Sequence, residues 1–270
     1  MVGVHAIYNG TVILAKDAVV EVTQREVQFG FSTYEALRVI KGHAVHLEDH
    51  LTRLENSCLG IKLVHPFTKQ QISTWVYDLI EKDAIQEASL RIQLYGGTQP
   101  QLFVLASALL SYPDTHYTQG VKAITFLGER LYPSCKTGNL LLNYMALEEA
   151  RSQGCFEALL VDRHQKVLEG TRSNFFAFKE KNLYTAADEQ VLLGITRDRV
   201  IKAARQLGFS VIFDAPAKED IAGGLYDEVF ISSTSMAAMP LSRVDDRLFP
   251  GPFEKTLAIT KLVRGWELDD

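Results

Sequence analysis

Ser134-Cys135-Lys136-Thr137-Gly138-Asn139-Leu140-Leu141-Leu142-Asn143 is the stretch on which the reading of this chain turns. Lys136 precedes an aliphatic, asparagine-bearing run that is expected to be largely buried. Burial disfavours an ammonium and makes a neutral amine available to a carbonyl. The alternative is a surface lysine in a loop, the usual place for that residue. Two later stretches bear on the choice: Val167-Leu168-Glu169-Gly170-Thr171-Arg172-Ser173-Asn174-Phe175-Phe176 and Leu193-Gly194-Ile195-Thr196-Arg197-Asp198. Together the three offer an amine, a carboxylate and a helix start suited to an anion. Those groups are what pyridoxal phosphate needs: a Schiff-base lysine, a partner for the ring nitrogen and a phosphate cup.

Glu169 is expected in a glycine-containing bend between two strands, where a carboxylate can keep a pyridine nitrogen protonated. A solvated turn glutamate is the plainer alternative. Ser173 and Asn174 can tie down that loop or reach cofactor oxygens. Gly194-Ile195-Thr196 precedes a predicted helix whose first N–H groups and dipole suit a phosphate; a plain N-cap by Thr196 is compatible with this. Ser232-Ser233-Thr234-Ser235 follows a predicted buried strand and offers hydroxyls, Ser233 and Thr234 among them, although serine-rich turns are often only turns. Arg53, placed on the polar side of a helix, can reach the phosphate as a charge-assisted donor or remain a solvated arginine. His46 and His50 have i, i+4 spacing, but Leu47 stands where a zincin needs glutamate, and they are read as helix-face histidines with no metal. There is no nucleophile elbow, Walker loop or dinucleotide glycine motif.

Composition narrows the class. The chain has 270 residues, 47% hydrophobic and 23% charged, with a net charge of −5. This is an ordinary globular balance with ample core, and it argues against nucleic acid as the main partner. No apolar run approaches the roughly 18 residues of a membrane span. Met1-Val2-Gly3-Val4-His5 does not read as a signal peptide, and Cys58, Cys135 and Cys155 form a sparse, odd set without CxxC. Both point to a reduced, cytoplasmic protein.

Along the chain, Ala6–Leu14 reads as two strands around Asn9-Gly10, and Lys41-Gly42-His43 marks a second hairpin. Leu47, Leu51, Leu54 and Cys58 line one helix face; Ile72, Trp75, Val76, Leu79 and Ile80 line another, with Thr68 as N-cap. Ser89–Tyr95 and Leu102–Ala108 read as strands. Ser111–His116 breaks the pattern. Beyond it come a strand over Lys122–Phe126, a helix through about Gln153, and a hairpin of Glu157–Val161 with Lys166–Phe178. A helix over Thr196–Leu207, a strand over Glu228–Ser232 and a terminal helix beyond Pro252 complete the pattern. Without a regular βαβ rhythm, the class is α+β. The expected domains are 1–112 and 122–270, joined by a linker over 113–121.

The order Tyr34-Glu35, Arg53, Lys136 with Asn139, Glu169-Gly170 with Ser173-Asn174, Gly194-Ile195-Thr196-Arg197 and the Ser/Thr turn resembles the class IV aminotransferases. That group holds branched-chain aminotransferases, D-amino acid aminotransferases and aminodeoxychorismate lyases, and the likeness runs from Tyr8-Asn9-Gly10 to Arg243-Val244-Asp245. The resemblance implies the fold-type IV architecture, two α/β domains with cofactor and substrate in the cleft between them, as a homodimer. It implies that Lys136 forms the internal aldimine and shuttles the α-proton, and that Glu169 pairs with the pyridine nitrogen. Arg53, Ile195, Thr196 and Thr234 would hold the phosphate. Tyr34, Arg91 and Arg130 match residues near the substrate.

This chain also departs from the family pattern. Gln24-Arg25-Glu26 and Gly30-Phe31-Ser32 stand where the family commonly has Asp-Arg-Gly and Gly-Asp-Gly. Gln101-Leu102-Phe103 stands where Bacillus-type D-amino acid enzymes carry an Arg-x-His carboxylate trap. Asn139-Leu140-Leu141 is more transaminase-like than the lyases' Asn-Arg-Leu. The expected reaction is transfer of an amino group between an amino acid and a 2-oxo acid, with apolar, branched-chain-like L-substrates preferred. A 4-amino-4-deoxychorismate lyase and a D-amino acid aminotransferase are the alternatives.

Overall fold

The computed structural model describes residues 3–267, and mixed strands and helices make the fold α+β as expected. The chain divides into two compact units. One runs to Leu110 and takes in Cys135–Asn139; the other takes in Ser111–Ser134 and the chain from Leu140 onward.

The first unit contains β1 (His5–Tyr8), β2 (Thr11–Leu14), α1 (Arg25–Gln28), β3 (Ser32–Ile40), β4 (His43–Ala44), α2 (Leu47–Gly60), α3 (Lys69–Lys82), β5 (Glu87–Tyr95) and β6 (Gln101–Ser107). Its strands form one antiparallel sheet in the order β2-β1-β6-β5-β3-β4. Asn9 and Gly10 both have positive φ, 47° and 85°, which the tight turn between β1 and β2 requires. The two amphipathic helices lie against one face of the sheet. Leu51 and Leu54 of α2 and Ile72, Val76 and Leu79 of α3 pack with Leu37, Val39, Leu90, Ile92 and Val104 in a single core. Burying each such side chain contributes about 1.5–3 kcal/mol. Thr68 caps α3 in a reciprocal box with Gln71.

The second unit contains α4 (Asp114–Thr118), β7 (Val121–Leu127), α5 (Leu141–Ser152), β8 (Glu157–Val161), β9 (Val167–Gly170), β10 (Asn174–Lys179), β11 (Asn182–Thr185), α6 (Ile195–Gln206), β12 (Ser210–Phe213), α7 (Lys218–Gly223), β13 (Glu228–Ser233), β14 (Ala237–Val244), β15 (Arg247–Leu248) and α8 (Glu254–Trp266). The path β10-β13-β14-β7-β8-β9 closes on itself, because β9 also pairs with β10 through Glu169 and Asn174. This closure removes two sheet edges. Phe175, Val229, Ile231, Met239 and Leu241 fill one core of the unit, and Phe176, Phe178 and Phe230 fill another against α6 and α8.

Several expectations differ from the structure. The arm read as Lys166–Phe178 is two strands, broken at 171–173, where side-chain bonds to Glu157 hold a turn. The run after Lys136 is not largely buried: Leu141 is 68% exposed, and the buried members of α5 are Asn143, Ala146 and Ala150. Strand β14, absent from the sequence reading, is nearly all buried and carries Pro240.

Candidate active site

The structure assembles the candidate residues as two groups, one in each unit. The Lys136 group starts from β3. Alternation along this strand buries Thr33, Glu35, Leu37 and Val39 on the helix-covered face and leaves Tyr34, Ala36 and Arg38 half-buried on the other. The Lys136 segment docks beside the start of the strand. Thr137 forms a bridge with Thr33, and the Tyr34 N–H donates to the Lys136 carbonyl at 3.1 Å. The Lys136 N–H in turn donates to Ser57 Oγ of α2 at 3.0 Å. The backbone of Lys136 is therefore held from two elements, while its half-buried side chain places Nζ 4.5 Å from the centre of the Tyr34 ring. Among the described residues no carboxylate pairs with this amine.

The same ring carries a second cation. Arg91 of β5 stacks its guanidinium carbon 4.1 Å from the Tyr34 centroid. Its Nε and Nη2 donate to Gln93 Oε1 at 3.0 and 2.7 Å. An amine and a guanidinium thus share one aromatic platform.

On the opposite face of β3, Glu35 is fully buried. It accepts from His50 Nδ1 at 2.7 Å and from Arg53 Nε and Nη2 at 2.8 and 2.7 Å. Burial alone raises a carboxyl pKa. Here the Arg53 charge and hydrogen bonds, with His50, outweigh it and bring Glu35 down to about 2. Burial depresses the His50 pKa against the opposing hydrogen bond and charge of Glu35, with the Arg53 and Lys136 charges adding to the depression. Arg53 was expected on the polar side of its helix, yet it is buried on the inward side of α2, where Glu35 compensates its charge. His50 is committed to Glu35, and His46 is the N-cap of α2 with φ 54°.

The Glu169 group starts from the barrel closure. Glu169 is a strand residue of β9, opposite Asn174, rather than in a bend. Its Oε1 accepts from Arg130 Nη1 at 3.4 Å, and its Oε2 accepts from the Leu192 N–H at 3.2 Å. Arg130 Nη1 also donates to the Pro133 carbonyl at 2.8 Å. Asn174 Nδ2 donates to the Leu192 carbonyl at 2.8 Å. Glu169 and Asn174 therefore grip the Leu192 backbone from both sides, just ahead of α6. Gly194 is the N-cap of α6, and no side chain caps that end; Ile195 and Thr196 are its first helical residues. A Cβ at Gly194 would strike Asn174 Oδ1, so the close approach requires glycine.

Ser173 does not point its hydroxyl outward: Oγ donates to Glu157 Oε2 at 3.1 Å. Glu157 is fully buried, and burial raises its pKa against the opposing bonds from Thr171, Arg172, Ala158 and Ser173. Loop tying is thus the role visible for both Ser173 and Asn174. In the serine-rich turn, Ser233 Oγ lies 3.3 Å from Ser235 Oγ, and Arg264 Nη1 and Nη2 donate to the Thr234 and Ser235 carbonyls at 3.5 and 2.6 Å. Ser232 Oγ is buried and has no hydrogen-bond partner among the described residues.

Sequence reasoning missed Glu35, His50, Gln93 and Glu157 as members of these groups. The available signal was periodicity: His50 shares the α2 face of Leu47, Leu51 and Leu54, and Gln93 shares a strand face with Arg91. The donor set fits pyridoxal phosphate in kind: an amine without an acid partner, a fixed carboxylate, an uncapped helix start and an unpartnered buried hydroxyl.

Comparisons with known proteins agree with this chemistry. Residues 32–244 match the family model for amino-transferase class IV. The D-alanine aminotransferase of Bacillus licheniformis is 28% identical over 93% of this chain and 93% of its own. The crystal structure of a branched-chain amino acid aminotransferase from Escherichia coli aligns with TM-score 0.89 at 25% identity, over 97% of this chain and 94% of its own. A hypothetical aminotransferase from Mycobacterium tuberculosis, solved in its PLP-bound form, aligns with TM-score 0.84 at 22% identity, over 98% and 99% of the two chains, a likeness of fold.

Proposed function

The chain belongs to the class IV aminotransferases, and from that premise we propose that it exchanges amino groups between apolar, branched-chain-like L-amino acids and 2-oxo acids with pyridoxal 5'-phosphate as cofactor. The observation that carries this reading is the Tyr34 ring, approached by Lys136 Nζ at 4.5 Å and by the Arg91 guanidinium at 4.1 Å. An amino acid presents an amine and a carboxylate close together, and these two groups handle one each.

When bound, the cofactor supplies an aldehyde that links to amines and a cationic ring that stabilises negative charge on the adjacent carbon. Lys136 Nζ would anchor it and would hold and move the substrate α-proton as a general base and acid. Glu169, held by Arg130 and the Leu192 N–H, would keep the ring nitrogen protonated. Backbone N–H groups of Ile195 and Thr196, with Ser233, Thr234 and Arg53, would be the groups to receive the phosphate. Asn174 holds the Leu192 backbone ahead of Ile195 and Thr196, and Ser173 ties its own turn to Glu157. Arg91 receives the substrate carboxylate.

The apolar preference is supported by position 103, where Phe103 packs on Tyr8 at 5.0 Å and the matching trap of the D-amino acid enzymes has histidine. A D-amino acid donor is the second reading, favoured by the similarity to D-alanine aminotransferases. No described helix is long and apolar enough to cross a membrane; the three cysteines form no disulfide among the described residues, which suits a reducing cytoplasm. Leu141, Tyr144 and Met145 form an exposed apolar stripe on α5, close in sequence to exposed Leu131 and Tyr132. A second copy of the chain covering this stripe would give the homodimer, which sedimentation equilibrium tests.

The deciding experiment titrates the visible absorbance of the cofactor-loaded protein with L-leucine and with D-alanine. Loss of the band with L-leucine alone supports the proposal, and loss with D-alanine alone transfers it to the second reading. Release of pyruvate from aminodeoxychorismate without an amino acceptor would instead make the protein a lyase. A protein that takes up no cofactor, or whose Lys136→Ala variant keeps the same band, overturns the reading.

A further inference from the structure

We propose that Gln93 is a positioning residue that turns one edge of Arg91 toward the substrate carboxylate and so sets the preference for amino acids over plain amines. This rests on the assignment of Arg91 to the carboxylate given above. Gln93 pairs with Tyr34 across β3 and β5, and Arg91 follows two residues away on the same sheet face.

The orientation of the Gln93 amide is dictated by chemistry. A guanidinium only donates, so Oε1 must face Arg91. The amide nitrogen then faces the Thr33 carbonyl at 3.4 Å, which only accepts. Gln93 is buried, so this amide has few other partners.

The consequence for Arg91 is a guanidinium with little freedom. Its Nε–Nη2 side is engaged by Gln93 Oε1, and its flat face lies on Tyr34. The outer Nη1–Nη2 edge is what remains, and that edge matches two carboxylate oxygens. Among the described residues no carboxylate pairs with Arg91. A neutral partner matters here. Glutamate at this position could hold the guanidinium equally well, but its charge would cancel the attraction for a substrate carboxylate.

The test uses the cofactor-loaded protein and reads the half-saturation of its visible band. L-Leucine is compared with 3-methylbutylamine, and D-alanine with ethylamine, each amine being the amino acid without its carboxylate. The proteins are wild type, Gln93→Met, Gln93→Glu and Arg91→Met. Losing the orientation of Arg91 in Gln93→Met, and cancelling its charge in Gln93→Glu, should each weaken the responding amino acid roughly ten- to hundredfold. The amine should be unchanged, so the ratio between the two collapses. Adding Gln93→Met to Arg91→Met should cause no further loss. Should Gln93→Met fail to fold, Gln93→Glu decides, since it keeps the acceptor and a similar shape. Equal weakening of amino acid and amine, or an unchanged ratio beside an Arg91→Met variant that lowers it, overturns the inference while leaving the functional reading intact. A wild type without the band overturns that reading and this inference with it.

Discussion

Replacing Glu35 with glutamine removes one charge from the most deeply buried ion pair in the first unit and leaves Arg53 in place. Glu35 is fully buried, and Arg53 is 8% exposed. The wild-type carboxyl sits at about 2 against an ordinary 4.5, because Arg53 and His50 overcome the cost of burial. That difference corresponds to stabilisation on the order of 3 kcal/mol. An independent figure agrees: removing one partner of a buried pair costs about 3–5 kcal/mol, since the other charge stays desolvated. For a chain of this size the melting temperature should fall by roughly 6–15 °C. The pH dependence carries a definite sign. With the folded pKa below the unfolded one, the contribution is complete above about pH 4.5 and disappears as pH falls through about 2. Urea unfolding of the cofactor-free wild type and Glu35→Gln, followed by circular dichroism at pH 7, 5 and 3, should show a gap that holds between pH 7 and 5 and narrows at pH 3. A gap below about 1 kcal/mol at pH 7 would refute the reasoning, as would one that does not narrow on acidification.

Glu157 behaves oppositely, since burial places its folded pKa above 4.5 and its contribution is lost as pH rises through that folded value. Glu157→Gln, which keeps an acceptor for Thr171 and turns an NH2 toward the Ser173 hydroxyl, which can accept from it, should unfold within about 1 kcal/mol of wild type at pH 8, while Glu157→Ala should lose about 2 kcal/mol or more; equal damage from both in urea melts would contradict this. Burial pushes the Cys58 thiol up to about 11, so at pH 8 about one molecule in a thousand carries a thiolate. Timed iodoacetamide labelling with mass spectrometry should find Cys58 at least about a hundredfold slower in the native than in the urea-unfolded protein; comparable rates would show the site to be open. Gly194→Ala sets a methyl against Asn174 Oδ1 and should break the grip on Leu192. Cofactor affinity, measured by recovery of the visible band, should fall about tenfold, the equivalent of one charge-assisted bond; unchanged affinity would mean that Asn174 is dispensable.

The sequence by itself determined what is local. Apolar spacing marked α2 and α3, Thr68 marked the start of α3, and Asn9-Gly10 marked the first turn, because each signal lies within a few residues. The order of Lys136, Glu169 and Gly194-Ile195-Thr196 was equally legible, since chemistry there depends on residue type. Tertiary structure alone decided the partnerships. Arg53 was expected on the polar side of its helix, toward a phosphate or solvent, and only the packing of α2 on the sheet turned it toward Glu35. Ser173 and Asn174 became loop ties only when Glu157 and Leu192 arrived beside them. Lys136 and Arg91 met on Tyr34, and Gln93 met Arg91, through strand register and the choice of sheet face. A shift of one residue in that register would exchange the two faces of β3, sending Glu35 to the Tyr34 side, and no short-range pattern specifies the register between strands dozens of residues apart.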